Sequence, residues 1–362
     1  MSESATPFGV YVHVPFCAHR CDYCAFATYS DRDHLMQDYV ESVIREITWA
    51  REDGLAPASS VFFGGGTPSR LSAEQLLAIL EVIPRREDAE VTVECNPEDA
   101  SVERLRIYRA GGVNRMSFGV QSTQPAVLAD LGRRHGTMAH EEVARAVTDA
   151  GFATWNMDLI VGSRAESLDD VRATLDDLLT LASPPPHVSC YVLTPEPGTP
   201  LGNDPLRHPD EDEAADAYDV VGEVLEANGY LWEEISNWAK PGHECAHNHV
   251  YWDQDDYVGF GSAAHSHRHG RRFWNVRTPE RYIAMVRAGE RPLGGEEELD
   301  ERTRQFERDS LALRTARGVP REAFGSLEEI RHLVSVREGR VTLAPKGRLL
   351  ANQVILRLNT AE

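Results

Sequence analysis

Three cysteines near one end of the chain, Cys17, Cys21 and Cys24, stand at C-x3-C-x2-C spacing, directly after the apolar alternating run Val10 to Val14. Thiolates are soft ligands and suit zinc or iron–sulfur iron. A structural zinc site wants four ligands, usually as two paired knuckles, and no fourth cysteine lies near these three. Three thiolates on a four-iron cluster leave one iron open, and an open iron can hold a substrate or cofactor. The spacing therefore predicts a [4Fe-4S] cluster with an open site. Buried structural cysteines or a zinc knuckle are the plain alternatives. Tyr23, between the last two cysteines, is placed to pack on whatever the open iron holds.

Other polar residues fall at or near the ends of apolar runs. Gly64-Gly65-Gly66-Thr67-Pro68 follows one directly. Glycines there allow close backbone approach to a ligand, although many strand-to-helix turns are glycine-rich for no such reason. Glu94 sits within Val91-Thr-Val-Glu-Cys95, and Asp158 within Trp155-Asn-Met-Asp-Leu-Ile-Val161. An unpaired charge in such a setting is costly. Gln121 follows another apolar run, and Arg133 offers a fork suited to a carboxylate. A surface or capping role is the alternative for each.

Later, His247-Asn248-His249-Val250-Tyr251-Trp252 follows Cys245. Histidine ligates heme iron, and Tyr and Trp can flank a porphyrin face. On residue types alone, a hydrogen-bonding loop with an aromatic anchor is the better reading. His265, His267 and His269 alternate after Gly259-Phe-Gly-Ser-Ala-Ala264. Without paired acids they read as incidental rather than as a metal site.

These residues need a frame that gathers strand ends. In the first half, short apolar strands alternate with amphipathic helices, the pattern of a parallel sheet with crossover helices. Strands are predicted over 9–14, 60–63, 90–95, 115–120, 154–161 and 188–193. Helices are predicted over 35–49, from Ser72 onward, in a short stretch stopping at Gly111-Gly112, and over 141–150, 168–181 and 211–227. Ser72 with Gln75 three residues on is a capping-box arrangement. Six such units suit an α/β fold, a partial (β/α)6 barrel of the TIM type, in which ligands sit at the carboxyl ends of the strands. Beyond Gly229 a strand over 230–235 leads into a loop-rich stretch. A helix over 280–288, a linker at Gly294-Gly295, helices over 301–314 and 327–333, a hairpin over 335–343 and a last helix after Lys346 follow. The predicted division is a core barrel over 1–235, a loop-rich extension carrying the His-Asn-x-x-Tyr-Trp motif over 236–295, and a small winged-helix-like α+β domain over 296–362.

The formal net charge of −21 argues against a nucleic-acid partner, whose phosphates call for a basic face. No run approaches the roughly 18 apolar residues of a membrane helix, and the first residues show neither a basic segment nor an apolar signal core. Three of the six cysteines share one motif and the others are scattered, unlike a secreted disulfide framework. A cytoplasmic protein is expected.

Taken together, the motifs resemble those of the radical S-adenosylmethionine (SAM) superfamily, and within it the oxygen-independent coproporphyrinogen III oxidase-like proteins. The resemblance runs from Tyr11 into the C-terminal domain. It rests on Val14-Pro-Phe-Cys17, Gly64-Gly-Gly-Thr-Pro-Ser69, Glu94-Cys-Asn-Pro97, Ser117-Phe-Gly-Val-Gln-Ser122, Gly132-Arg133, Asn156-Met-Asp-Leu-Ile160 and Gly261 to Ser266. It implies that the open iron chelates the amino and carboxylate groups of S-adenosyl-L-methionine. By motif, the SAM contacts fall on Tyr11, Tyr23, Gly65, Gly66, Thr67, Glu94, Gln121, Arg133 and Asp158.

Two branches of that family compete. The coproporphyrinogen dehydrogenases carry a further cysteine two residues after the third, and a longer segment before the barrel. Here Phe26 takes that position. The heme chaperone branch has phenylalanine there and a His-Asn-x-x-Tyr-Trp motif, matched at 247–252, which makes His247 the expected heme contact. The closer resemblance therefore implies heme as cargo, apo-hemoproteins such as respiratory cytochromes as recipients, an electron donor if SAM is cleaved, and no catalytic residue. Peripheral membrane contact and a homodimer are compatible with it. The alternative is oxidative decarboxylation of coproporphyrinogen III to protoporphyrinogen IX by a SAM-derived radical. One departure concerns the loop after Asp158, where the family's Gly-Leu-Pro-Gly is replaced by Gly162-Ser163-Arg164-Ala165.

Overall fold

The strand nearest the cysteines is also the middle of the frame. In the structure, a computed structural model describing residues 6–359, β1 (Phe8–Val14) is buried along almost its whole length. Such burial is expected of a strand covered on both faces of a parallel sheet. On one side it continues in parallel order through β2 (Ala58–Gly65), β3 (Arg85–Cys95), β4 (Arg115–Gln121), β5 (Thr154–Val161) and β6 (His187–Val192). The helices between them are α1 (Met36–Glu52), α2 (Ala73–Val82), α3 (Val102–Ala110), α4 (Pro125–Asp130), α5 (Ala139–Asp149), α6 (Leu168–Leu179) and, after β6, α7 (Glu211–Ala227). Their inward faces follow the helical period: α1 buries Tyr39, Val40, Val43 and Ile47. At the start of α2, Ser72 and Gln75 form the predicted capping box.

The barrel stays open. After β6 the neighbour is an antiparallel hairpin, β7 (Leu231–Glu234) and β8 (Asn237–Ala239), with β8 against β6. On the other side of β1 lies β9 (Asp256–Phe260), a seventh parallel strand, followed by antiparallel β10 (His265–Arg268), β11 (Arg271–Asn275) and β12 (Leu293–Glu298). The stretch expected to be loop-rich is thus built into the same sheet. It also holds α8 (Ala246–Trp252), on the His-Asn-x-x-Tyr-Trp motif, and α9 (Pro279–Arg287).

Sequence pattern alone could not find β9, because its partner β1 lies far away in the chain and only three of its residues are buried. The Gly294-Gly295 segment is likewise a strand and not a linker. What holds β12 is charge: Arg271 pairs with Glu296, and Arg272 with Glu297 at 2.8 Å, across the β11–β12 ladder. Opposite charges across strands support pairing where no apolar face exists.

The last part contains α10 (Glu301–Leu313), β13 (Val319–Pro320), β14 (Val334–Arg337), β15 (Arg340–Leu343), α11 (Pro345–Arg348) and α12 (Ala351–Ile355). Its three strands form a separate antiparallel sheet over a core that includes Leu313, Phe324, Leu333, Val341 and Val354. The helix expected over 327–333 is instead a pair of turns closed by Ile330 N–H to Leu327 O and Leu333 N–H to Ile330 O. Arg348 reaches back to Glu226 on α7 at 2.7 Å and lies over the Trp232 ring. No described helix is long and apolar enough to cross a membrane.

Two polar nodes tie the later elements to the barrel. Glu46 of α1 is buried and accepts hydrogen bonds from Gly261 N–H (3.0 Å), Asn275 Nδ2 (2.7 Å) and Tyr282 O–H (2.6 Å). Burial pushes its carboxyl up to about 7 despite these donors. Glu46→Ala strands three buried donors and is expected to cost about 3 kcal/mol or more, read as a lowered urea midpoint; Glu46→Gln should cost less.

The second node is His249 of α8, whose Nε2 lies 2.8 Å from the buried carboxylate of Glu233. That carboxylate holds the imidazole above its usual range. A raised folded value means the pair's stabilisation is full below the unfolded value and fades as pH rises through the folded one. The stability difference between the wild type and His249→Gln should therefore shrink between pH 6 and pH 8.5 in urea titrations.

Candidate functional site

The register of β1 on β2 opposes His13 to Gly64 and Val14 to Gly65, so the cysteine loop leaves the sheet beside the glycine turn. The turn is stitched to the loop by Gly66 N–H to Val14 O and Thr67 N–H to Phe16 O, both 2.8 Å. No side chain fits between them. Gly65 has φ +113°, and a Cβ at Gly66 would lie 2.8 Å from Phe16 O and 3.0 Å from Cys17 Sγ. The far end of the loop is pinned by Cys17 N–H to Tyr29 O, Tyr29 N–H to Pro15 O, and His13 Nε2 on Ala27 O.

Cys17, Cys21 and Cys24 therefore line one wall of a cavity of about 590 Å³ at the carboxyl ends of the parallel strands. The cavity takes in the residues expected to contact SAM, and His247: Tyr11, Tyr23, Gly65, Gly66, Thr67 and Glu94 are on its walls, as are Gln121, Arg133, Asp158 and His247. Donors already point at the sulfurs. Thr67 Oγ1 donates to Cys17 Sγ at 3.6 Å, and Arg133 Nη1 to Cys21 Sγ at 3.4 Å. Burial raises the Cys17 and Cys24 thiols above their ordinary range, so the protein alone favours thiols there.

The remaining polar groups are aimed into the cavity and only partly satisfied. Arg133 also donates to Gly119 O (2.7 Å) and Asn96 Oδ1 (3.0 Å), yet its buried Nε has no partner. Gln121 has φ +67°, rare for a residue with a side chain, and its buried Oε1 has no partner. Glu94 accepts from Gly65 N–H at 3.2 Å; burial first, then the nearby Asp158, pushes its carboxyl up to about 8. Asp158 is likewise raised by burial, although Asn156 Nδ2 donates to it at 2.7 Å. Unsatisfied buried polar atoms on an open cavity are what a polar ligand would complete.

His247 stands differently from its expectation. It lines the cavity but is fully buried, with Nδ1 on Ser60 Oγ (2.9 Å) and Nε2 on Tyr251 O–H (2.8 Å), and it stacks on Phe62. Burial pushes it down to about 3, so it is a neutral imidazole with both nitrogens occupied. In this arrangement it anchors α8 to β2, the role that the hydrogen-bonding reading of the motif gives it. Of the histidine series, His267 is buried with Nδ1 on Asp255 O, and His269 pairs with Asp256 at 3.0 Å.

Sequence reading missed the floor of the cavity. Arg115 on β4 bonds His187 Nδ1 on β6, and His187 Nε2 meets Asn237 Oδ1 at 3.0 Å. Burial, then Arg115, holds His187 well below its usual range, which makes it a neutral acceptor toward the guanidinium. A buried Arg inside a strand pattern was the available signal. The departure at 162–165 is absorbed locally: Gly162 has φ +86° and donates its N–H to Glu166, while Ser163 Oγ bonds Asp130 at 2.6 Å.

A family model described as the radical SAM superfamily matches residues 11–178. A Mycobacterium tuberculosis (strain H37Rv) protein named heme chaperone HemW is 37% identical over 370 residues, covering 96% of this chain and 94% of its own. A Bacillus subtilis (strain 168) protein of the same name is 32% identical over 369 residues, with 95% and 97% covered. Among solved structures, coproporphyrinogen III oxidase (HemN) from Escherichia coli superposes with a TM-score of 0.84 at 22% identity, over 97% of this chain and 89% of that one, which shows a shared fold. On sequence similarity that extends over nearly its full length, the chain belongs to the HemW family of the radical SAM superfamily.

Proposed function

We propose that this protein binds heme and hands it to apo-hemoproteins such as respiratory cytochromes, on a scaffold that carries a [4Fe-4S] cluster and SAM. The observation that carries the reading is the near full-length similarity to proteins named heme chaperone HemW. Radical SAM membership implies the cluster and SAM, and the donor set fits both. Cys17, Cys21 and Cys24 would hold the cluster, with Thr67 and Arg133 donating to the sulfurs. Bound together, the two groups supply one-electron chemistry.

The chain's own residues would hold SAM as follows. Gly65, Gly66 and Thr67 bring backbone to the methionine end, beside Glu94. The Arg133 fork takes the carboxylate. Gln121 and Asp158 receive ribose hydroxyls, and Tyr11 and Tyr23 pack against the bound molecule. Phe26, at the position where the decarboxylating enzymes have a further cysteine, favours the carrier over the enzyme. The likeness to coproporphyrinogen III oxidase is one of fold and does not favour that activity.

The test is to load the cluster anaerobically, then measure heme binding and coproporphyrinogen III turnover with SAM and a reductant. Heme binding without turnover, with passage of the heme to an apo-cytochrome, is expected; conversion to protoporphyrinogen IX would overturn the carrier reading. Serine at Cys17, Cys21 or Cys24 should abolish four-iron incorporation, measured as iron and sulfide content. Arg133→Lys loses the planar fork and should weaken SAM about tenfold or more in equilibrium dialysis, because a charge-assisted bond is worth about 1.5–3 kcal/mol.

A further inference from the structure

Beside the cluster cavity lies a second chamber of about 770 Å³, walled on one side by β10, β11 and the start of α9. That volume is within the ~300–1,000 Å³ of small-molecule and cofactor sites. The two chambers adjoin: Tyr11, Phe26, Gly65, Glu94 and Tyr251 line both. Three features set the second one apart.

The first is aromatic surface. Tyr251, Tyr257, Trp274 and Phe26 all line it. Phe26 is 69% exposed, a large apolar side chain left in the open at the passage between the chambers. Tyr251 and Tyr257 meet edge to face at 4.6 Å, so this wall is preformed.

The second is a histidine with free nitrogens. His265 is exposed on β10, opposite Trp274 in the β10–β11 register, and stacks on that ring at 5.6 Å. Neither ring nitrogen makes a hydrogen bond with any described residue. The other histidine on the chamber wall, His13, is spent on Tyr11 O–H (3.1 Å) and Ala27 O (3.0 Å). Stacking on Trp274 restricts how the His265 ring can turn, as packing does for a metal-bound imidazole.

The third is unpaired positive charge. Arg277 and Arg281 line the chamber, are exposed, and make no ion pair or hydrogen bond with any described residue. In a chain with net charge −21, where most arginines of this region pair with an acid, two free guanidiniums on one wall stand out. They flank the N-terminal end of α9, whose dipole adds to the attraction for anions. Guanidinium forks are the best-matched protein partners of carboxylates.

A flat aromatic metal complex bearing two carboxylates would use all three. We propose that this chamber is the heme seat: His265 ligates the iron, Arg277 and Arg281 take the two propionates, and the aromatic wall packs on the macrocycle. The inference rests on the heme-carrier reading and moves the iron ligand from His247, whose nitrogens are occupied, to His265. It also keeps cargo and cluster cavity distinct but adjoining, with Phe26 between them.

The experiment is a heme titration of the full-length, cluster-loaded protein, followed by absorption and electron paramagnetic resonance spectra. The wild type should show an imidazole-ligated signature. His265→Ala should lose it and bind about tenfold or more weakly, and added imidazole should restore the signature. Arg277→Gln combined with Arg281→Gln should weaken heme to a similar degree while leaving the affinity for heme dimethyl ester unchanged. All three side chains are exposed, and unchanged cluster iron content checks that each variant is folded. A wild type that binds no heme overturns both this seat and the carrier reading. Wild-type binding that is indifferent to His265→Ala, or equal losses of heme and its dimethyl ester in the arginine variant, overturns the seat and leaves the carrier reading standing.

Discussion

The pairing of β1 with β2 is the constraint on which the rest depends. A parallel ladder allows one register per buried face, because a slip of one residue would turn Val10, Val12 and Val14 out of the core. In that register the ends of both strands arrive together, with the cysteine loop leaving one and the glycine turn leaving the other. The bonds from Gly66 and Thr67 to Val14 and Phe16 then close the gap so tightly that a Cβ at Gly66 would meet the Cys17 sulfur. The cysteine loop is held by its neighbours' backbone rather than by bonds among the cysteines.

The cavity above this junction is built from opposing charges. Glu94 and Asp158 lie on the same buried wall; burial raises both carboxyls, and Asp158 raises Glu94 further. Arg133 lines the same cavity and donates to Cys21, Gly119 and Asn96. A ligand with both a cationic and an anionic group would find a partner for each on these walls. The neighbouring chamber has another character, with aromatic surface and two unpaired guanidiniums. One sheet thus presents two chemically different chambers side by side, with Tyr11, Phe26 and Gly65 lining both.

The elements after the sixth strand supply one side of this second chamber. β9 extends the parallel sheet beyond β1, and β10 to β12 fold back from it, held at the outer edge by Arg–Glu pairs. Glu46 fastens the arrangement from below, joining α1 to the β9 turn, to β11 and to α9 in a single buried acceptor. The extension is therefore part of the scaffold that shapes the sites.

What the sequence determined by itself was local chemistry and local period. The cysteine spacing, the glycines after an apolar run and the acids embedded in Glu94 and Asp158 strands were readable because each depends on near neighbours in the chain. So were the six strands and their helices, down to the capping box at Ser72. Tertiary structure decided what depends on partners far apart. β9 became a strand because β1, 248 residues earlier by register (Phe8 opposite Asp256), offers it a ladder. β12 became one because Arg271 and Arg272 face its glutamates. Above all it decided the histidines. His247, a heme contact by family resemblance, is engaged by Ser60 and Tyr251, while His265, which reads as incidental in sequence, makes no hydrogen bond through its ring with any described residue. Residue type states what an imidazole can do; only the surrounding fold determines whether its nitrogens are already taken.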